Sequence, residues 1–252
     1  MYGWRARIGT IIPSVNTTFE PECYQMAPEG VSFHFSRMPI GDLSVDGLRK
    51  MGETAEEKGR ELAAAGVDLL VYGCTSGSFV EGKAHDEKIS SDLEEATGIP
   101  ALTSSAAVSR ALEAFSIDSF AIATPYSEEL NERQKIYFES SGLTVTAIQG
   151  LGFVKKTPLF PIATRAVSHV GLQDPAVAYK LARAVDSRSA QAILISCTNL
   201  RSLEIIEKLE RDLGKPVISS IQATVWASFQ HLSLREPLNG FGSLFAKRHE
   251  SI

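Results

Sequence analysis

The 252-residue chain is short of the residues that build metal sites, disulfide frameworks and nucleic-acid surfaces. Its three cysteines, at 23, 74 and 197, are an odd number with no CxxC among them. They make neither a disulfide scaffold nor a zinc ribbon, and they suit a reducing cytoplasm. The five histidines (34, 85, 169, 231, 249) are scattered, and His85 and His169 read as surface loop residues rather than as catalytic ones. Lys and Arg number 25 against 30 Asp and Glu, a net charge of −5. Without a basic excess the chain is poorly suited to neutralising phosphates, so nucleic acid is not an expected partner. No apolar run approaches the roughly 18 residues of a membrane span, and the first residues carry no apolar signal core. GxGxxG, Walker A and HExxH are absent. Gly73-Cys-Thr-Ser-Gly77 is not a GxSxG elbow, because Thr75 stands at its centre. The expectation is a cytoplasmic enzyme with no membrane, nucleic acid or metal.

What is present is an ordinary globular composition, 44% apolar and 22% charged, in a chain long enough to bury a large core. Apolar bursts of strand length alternate with amphipathic stretches of helix length. Residues 7–13, 31–38, 68–73 and 101–103 read as strands; 17–26, 44–65, 86–97 and 106–114 read as helices. Ser44 is a plausible N-cap for the long third stretch and Gly66 its stop. The order then returns, with strands at 119–124, 143–151, 190–196 and 217–219 and helices at 128–141, 175–186, 203–213 and 223–232. Residues 158–170 are irregular, residues 128–133 read as a solvated helix face, and the polar tail from Arg235 reads as surface packing. The alternation predicts an α/β fold of two similar Rossmann-like domains with mostly parallel sheets. The expected division is residues 1–114 with 217–252 in one domain and 115–216 in the other.

An internal repeat supports that division. Asp68-Leu-Leu-Val-Tyr-Gly-Cys74-Thr75 resembles Gln191-Ala-Ile-Leu-Ile-Ser-Cys197-Thr198. Downstream, Leu93-Glu-Glu-Ala-Thr-Gly98-Ile-Pro100 matches Leu209-Glu-Arg-Asp-Leu-Gly214-Lys-Pro216, each followed by a serine pair, Ser104-Ser105 and Ser219-Ser220. Upstream, Ile11-Ile12-Pro13-Ser14 echoes Ala123-Thr124-Pro125-Tyr126. Matches in the same order argue for two halves related by a pseudo-twofold axis. Open α/β sheets bind ligands beyond the carboxyl ends of their strands, and both Cys-Thr pairs sit there. Cys74 and Cys197 are therefore expected to face each other across one cleft, while Cys23, without a repeat mate, is structural.

Opposed thiols suit proton removal on one face of a carbon and return on the other, or thiolate addition to an activated double bond. Either route calls for a lowered thiol pKa and for donors around a substrate carboxylate. Thr75 and Ser76 follow Cys74; Thr198 and Asn199 follow Cys197; Ser14 and Asn16 lie just past the first strand, and Tyr126 just past its counterpart. These are the candidate substrate-binding residues, at strand-to-helix turns that present N–H and hydroxyl donors.

On these residues the chain resembles, over nearly its whole length, the aspartate/glutamate racemase superfamily, within it the maleate cis–trans isomerase, arylmalonate decarboxylase and ectoine-utilisation EutA group. The carriers are Ile12-Pro-Ser-Val-Asn-Thr17, Tyr72-Gly-Cys-Thr-Ser-Gly-Ser78, Ala123-Thr-Pro-Tyr126 with Asn131-Glu-Arg133, Ser196-Cys-Thr-Asn199, and residues 209–224. The resemblance implies two α/β domains, a site between them and no cofactor. By the isomerase pattern, Cys74 would add to a maleate-like double bond, with Cys197 as acid/base. Asn16 and Tyr126 would hold carboxylates, helped by the Thr75-Ser76 and Thr198-Asn199 turns. By the racemase pattern, the two cysteines would be opposed acid and base. The decarboxylases carry glycine at the first cysteine position, so Cys74 argues against a pure decarboxylase.

One departure concerns the substrate. The isomerases usually carry an Asn after the central strand of the second half, where this chain reads Val154-Lys-Lys-Thr-Pro-Leu-Phe-Pro-Ile-Ala163. Lys155, Lys156 or Thr157 could replace it; alternatively Phe160 and the prolines would form a more apolar lid over a substituted or monocarboxylic acid. The expected partner is thus a small carboxylate or dicarboxylate, and a homo-oligomer stays open. The rival of another class is a non-catalytic small-carboxylate binding protein, in which neither thiol would be needed.

Overall fold

The computed structural model describes residues 1–153 and 169–246. In the first half, β1 (Ala6–Pro13) leads through α1 (Phe19–Met26) to β2 (Val31–Met38), then through α2 (Val45–Gly52) and α3 (Ala55–Ala63) to β3 (Leu69–Tyr72). The short α4 (Thr75–Phe79) and α5 (Lys83–Thr97) precede β4 (Ala101–Thr103) and α6 (Ser104–Ala114). The second half runs β5 (Ser119–Thr124), α7 (Glu128–Glu139), β6 (Thr144–Gly150), α8 (Pro175–Val185), β7 (Ala192–Ile195), α9 (Ile206–Leu213), β8 (Val217–Ser219) and α10 (Ser220–His231), with α11 (Ser243–Ala246) in the tail.

Both sheets are parallel and have the same order, β2-β1-β3-β4 and β6-β5-β7-β8. The central strands β3 and β7 are buried at every position, as unbroken apolar runs covered on both faces must be. In each half the chain leaves the first strand to one side and the third to the other. A crevice therefore opens at the carboxyl ends of β1 and β3, and again at those of β5 and β7. Cys74 follows β3 and Cys197 follows β7, so the repeat places the two cysteines at the two crevices. No helix among the described residues is long and apolar enough to cross a membrane, and no group of three or more His, Cys, Asp or Glu among them could hold a metal ion.

Several expectations shift in detail. β8, expected with the first half, pairs with β7 in the second sheet, from Ile193↔Val217 to Ile195↔Ser219. Only after Ser219 does the chain return: α10 packs on its repeat mate α6, and Thr224 Oγ1 donates to Ser104 Oγ at 3.1 Å. The serine pairs are offset by one. Thr103 and Ser219 are the equivalent N-caps, accepting the N–H of Ala106 and of Gln222, which makes Ser104 the mate of Ser220. The helix expected over 44–65 begins at the Ser44 cap, which accepts the Gly47 N–H at 3.0 Å, but breaks after Gly52. There Thr54 Oγ1 donates back to the Met51 carbonyl, a local bond that competes with helix continuation. The tail is no surface strap. Leu244 and Phe245 are buried, and the Phe245 ring lies 6.0 Å from that of Phe229. The run at 128–133 is solvated on one side only, since Asn131 is buried and accepts the Thr124 hydroxyl at 2.6 Å.

The halves are joined by a polar suture beside the crevices. Asn16 Nδ2 donates to the Thr198 carbonyl (2.9 Å) and Oγ1 (3.3 Å). The Thr17 N–H donates to Asn199 Oδ1 (2.9 Å), and Thr18 Oγ1 to the Asn199 carbonyl (3.1 Å). Thr198 Oγ1 reaches back to the carbonyl of Gly73, the residue before Cys74, at 3.0 Å. Gly171 seats against this suture: a Cβ there would lie 2.5 Å from Thr17 Oγ1 and 2.8 Å from Asn199 Oδ1. Gly171→Ala is therefore expected to destabilise the fold by about 1–3 kcal/mol in urea unfolding, as overpacking does. An unchanged midpoint would mean that the suture yields without cost.

Candidate active site

Cys74 ends the crevice segment of β3 and serves as the N-cap of α4. Its Sγ, in the place usually taken by a Ser, Thr, Asn or Asp oxygen, accepts the Gly77 N–H at 3.3 Å and lies 3.7 Å from Ser76 Oγ. Gly77 keeps that space open, because a Cβ would lie 3.2 Å from the sulfur and 2.6 Å from Tyr72 Oη. The thiol is buried. Cys197 is partly exposed and holds φ at +119°, a strained value for a residue with a side chain. Its N–H donates to Ser220 Oγ (3.1 Å), and its Sγ accepts the Asn199 N–H (3.4 Å). Each sulfur thus accepts a backbone N–H from the residues that follow it, three positions on at Cys74 and two at Cys197.

Both cysteines line one cavity of about 30 Å³, with Asn16, Thr75, Ser76, Tyr126, Thr198 and Asn199 around it. That is room for about one water molecule, so a four-carbon acid must push lining side chains aside. Two hydroxyls in the lining, Thr75 Oγ1 and Tyr126 Oη, are buried with no hydrogen-bond partner among the described residues. Tyr126 belongs to the second half but sets its ring edge-on against Phe79 of the first, with centroids 5.7 Å apart. Behind it, Thr124 Oγ1 accepts the Tyr126 N–H at 3.1 Å while donating to Asn131.

Of the residues expected from sequence, only Ser14 lies elsewhere. It is exposed, and its Oγ accepts the Ile40 N–H at 3.3 Å. Asn16 lines the cavity, yet its carboxamide is already committed. Its Oδ1 accepts the N–H groups of Thr18 and Phe19, and its Nδ2 holds Thr198. Lys155, Lys156, Thr157 and Phe160 lie outside the described residues. Sequence reasoning missed the apolar wall of Val15, Ile40, Leu43 and Val170. Its one signal was an apolar pair, Ile40 and Leu43, in a loop at the carboxyl end of β2. Among the described lining residues none is charged.

The expected lowering of the thiol pKa is not found in the resting protein. Burial pushes Cys197 up to about 12, against the pull of the Asn199 N–H and the nearby Tyr126 hydroxyl. Burial likewise raises Cys74, opposed by the Gly77 N–H and the Ser76 hydroxyl. Tyr126 is raised by burial and by the two sulfurs, Cys197 before Cys74. Desolvation outweighs the donors at each group, and both thiols are neutral near pH 7. Cys23 is fully buried and its thiol is driven well up.

The whole chain was compared with known proteins. A family model described as arylmalonate decarboxylase matches residues 8–245. A maleate isomerase from Geobacillus stearothermophilus is 28% identical over 257 residues, covering 96% of this chain and 98% of the relative. An arylmalonate decarboxylase from Bordetella bronchiseptica is 28% identical over 219 residues, covering 87% of each. Among solved structures, a cysteine-to-serine mutant of Nocardia farcinica maleate cis–trans isomerase with a covalently bound succinylcysteine intermediate superposes with a TM-score of 0.87 at 26% identity, covering 98% of this chain and 99% of that one.

Alkylation by iodoacetamide, followed on the separate cysteine peptides by mass spectrometry, checks the resting thiols. Cys197 is expected to react first, Cys74 more slowly and Cys23 last. Because the thiolate is the nucleophile, the Cys197 rate should climb about tenfold per pH unit between pH 7 and 9. A plateau already reached below pH 8 would show a thiolate formed in the resting site.

Proposed function

Because the chain belongs to the arylmalonate decarboxylase and maleate isomerase group of the aspartate/glutamate racemase superfamily, we propose that it is a two-cysteine isomerase that converts a maleate-like small carboxylate from cis to trans without a cofactor. The observation that carries this reading is the convergence of two thiols, from equivalent strand ends, on one cavity with two unpartnered hydroxyls. Cys74, a neutral thiol at rest, first gives its proton to water; its thiolate then adds to one alkene carbon, and the electron pair moves to the neighbouring carbon, conjugated with its carboxylate. Cys197 protonates that carbon. The new single bond rotates, Cys197 removes a proton again, and elimination breaks the C–S bond and returns the Cys74 thiolate. The succinylcysteine of the Nocardia relative is the kind of adduct that the first two steps would form.

The surroundings divide the roles. Cys74 has the Gly77 N–H and the Ser76 hydroxyl in place to stabilise a thiolate. Cys197, pushed up to about 12, keeps its proton until the strongly basic carbanion appears. Thr75 Oγ1 is the free donor for the carboxylate on which charge develops, and Tyr126 Oη, which also bears on the Cys197 sulfur, is the second. Decarboxylation of a malonate-type acid needs a single proton donor and leaves Cys74 without a task. A non-catalytic binder is set aside, since the family is one of enzymes.

A second reading rests on the apolar wall. Val15, Ile40, Leu43 and Val170 favour a substituted or monocarboxylic acid, on which the same thiols would exchange an α-proton and racemise the centre. Proton NMR in D₂O separates the readings, with maleate, amino acids and arylmalonates offered to wild type, Cys74→Ala and Cys197→Ala. Maleate is expected to become fumarate, with turnover falling about 10²–10⁴-fold in each variant, the worth of a positioned acid or base. Exchange at an α-carbon without maleate turnover would select the racemase. Silence on every substrate, with binding unaffected by either substitution, would overturn the two-cysteine mechanism.

A further inference from the structure

The chemistry above leaves a buried carboxylate unused. Glu22, on α1 of the first half, is 3% exposed. Its Oε1 accepts the N–H groups of Ser202 (3.0 Å) and Leu203 (3.3 Å), which belong to the second half. One helical turn earlier on the same face, Thr18 holds the Asn199 carbonyl at 3.1 Å, and Asn16 holds Thr198 at 2.9 Å. The first half therefore grips residues 198–203 at successive points, and that segment is the one leaving Cys197. The Cys197 backbone sits at φ +119°, a conformation that persists only where its surroundings over-determine it.

We propose that Glu22 is a positioning residue: by clamping the backbone at Ser202 and Leu203 it holds Cys197 in its strained conformation, and so keeps that thiol aligned with Cys74 across the shared cavity. The proposal rests on the assignment of Cys197 as the acid/base. A carboxylate suits the task because charge-assisted bonds to N–H groups are shorter and stiffer than those of a neutral acceptor. The ionised form carries a cost. Burial raises the Glu22 carboxyl to about 7, against the pull of the Ser202 and Leu203 N–H groups. The charged neighbours are Glu204, which raises it, and Arg201, which lowers it; Cys23 adjoins it on α1. A folded pKa above the unfolded value of 4.5 means that this carboxyl favours folding most below pH 4.5 and that the benefit fades as pH rises through 7.

The test uses the intact protein as wild type, Glu22→Ala and Glu22→Gln, with circular dichroism as the check on folding. It measures kcat and KM on whichever carboxylate the wild type turns over, from pH 5.5 to 9, together with alkylation of Cys197. In Glu22→Ala, kcat is expected to fall about 10- to 100-fold with KM within about twofold, the signature of misplaced catalytic groups. Alkylation of Cys197 should speed up about threefold or more as the loop is released. Glu22→Gln, a neutral acceptor like the protonated carboxyl, should keep the kcat that the wild type shows below pH 6 and lack the rise through pH 7 that the wild type shows as its clamp ionises. It should also lose less thermal stability than wild type between pH 5 and 8. A folded Glu22→Ala protein with wild-type kcat and wild-type Cys197 alkylation overturns the proposal. If Glu22→Ala does not fold, Thr18→Val takes its place under the same criteria. If the wild type turns over none of the carboxylates, the functional reading fails, and the alkylation rates alone decide for or against the clamp.

Discussion

Much of this structure hangs on the side chain of Asn16. Its carbonyl oxygen caps the start of α1 through Thr18 and Phe19, and its amide nitrogen reaches the second half at Thr198. All the hydrogen-bonding capacity of one buried carboxamide is thus spent on fixing a helix of one half against the turn that follows Cys197 in the other. Apolar packing between halves tolerates sliding, because contact area is nearly indifferent to register. A buried polar network has no such freedom, since every unmatched donor or acceptor is penalised. The suture therefore sets the distance and angle between the two crevices, and through them the relation between the two sulfurs.

That arrangement shapes the electrostatics. Among its described residues the cavity wall offers dipoles and hydroxyls, and no cation, to negative charge on a substrate or on a sulfur. Dipoles held rigidly need no reorganisation when charge moves, which is where preorganised sites gain over water. The same burial raises both thiols at rest. Thr75 Oγ1 has no partner among the described residues, and the Tyr126 hydroxyl bears only on the sulfurs and on Ser76. Under the proposed function these two donors can turn to a carboxylate without breaking the suture, while Asn16 must loosen its hold on Thr198 if it is to contribute.

The sequence made the large features legible because they are repeated. Strand-length apolar runs ending in Cys-Thr identified the two central strands, and the parallel halves followed from their alternation with helices. Smaller features escaped for separate reasons. The assignment of β8 to a sheet depends on which edge is free, which three residues cannot say. The break after Gly52 depends on a single Thr54 side chain turning back on the helix. Ser14 and Asn16 looked alike as polar residues past a strand, but one turned outward and the other inward. Ile40, Leu43 and Val170 are brought to the cavity by the fold, and nothing local distinguishes them from other loop apolar residues. The raised thiols were missed because burial, a property of the whole fold, outweighs the donors that sequence can place.

The two cysteines are alike in sequence and unlike in setting, and the difference carries mechanistic weight. Cys74 sits in relaxed, extended backbone at φ −138°, fully enclosed, with the Gly77 N–H and the Ser76 hydroxyl at its sulfur. Cys197 sits in strained backbone, partly open, and depends on contacts from the other half to stay there. In the proposed reaction a nucleophile must be held still while it forms and breaks a bond to carbon, which suits the enclosed N-cap at Cys74, and an acid/base must reach both faces of a rotating intermediate, which suits a residue at a turn between the halves. Burial raises both thiols, so what distinguishes the two settings is the backbone conformation at each cysteine and the donors placed at each sulfur.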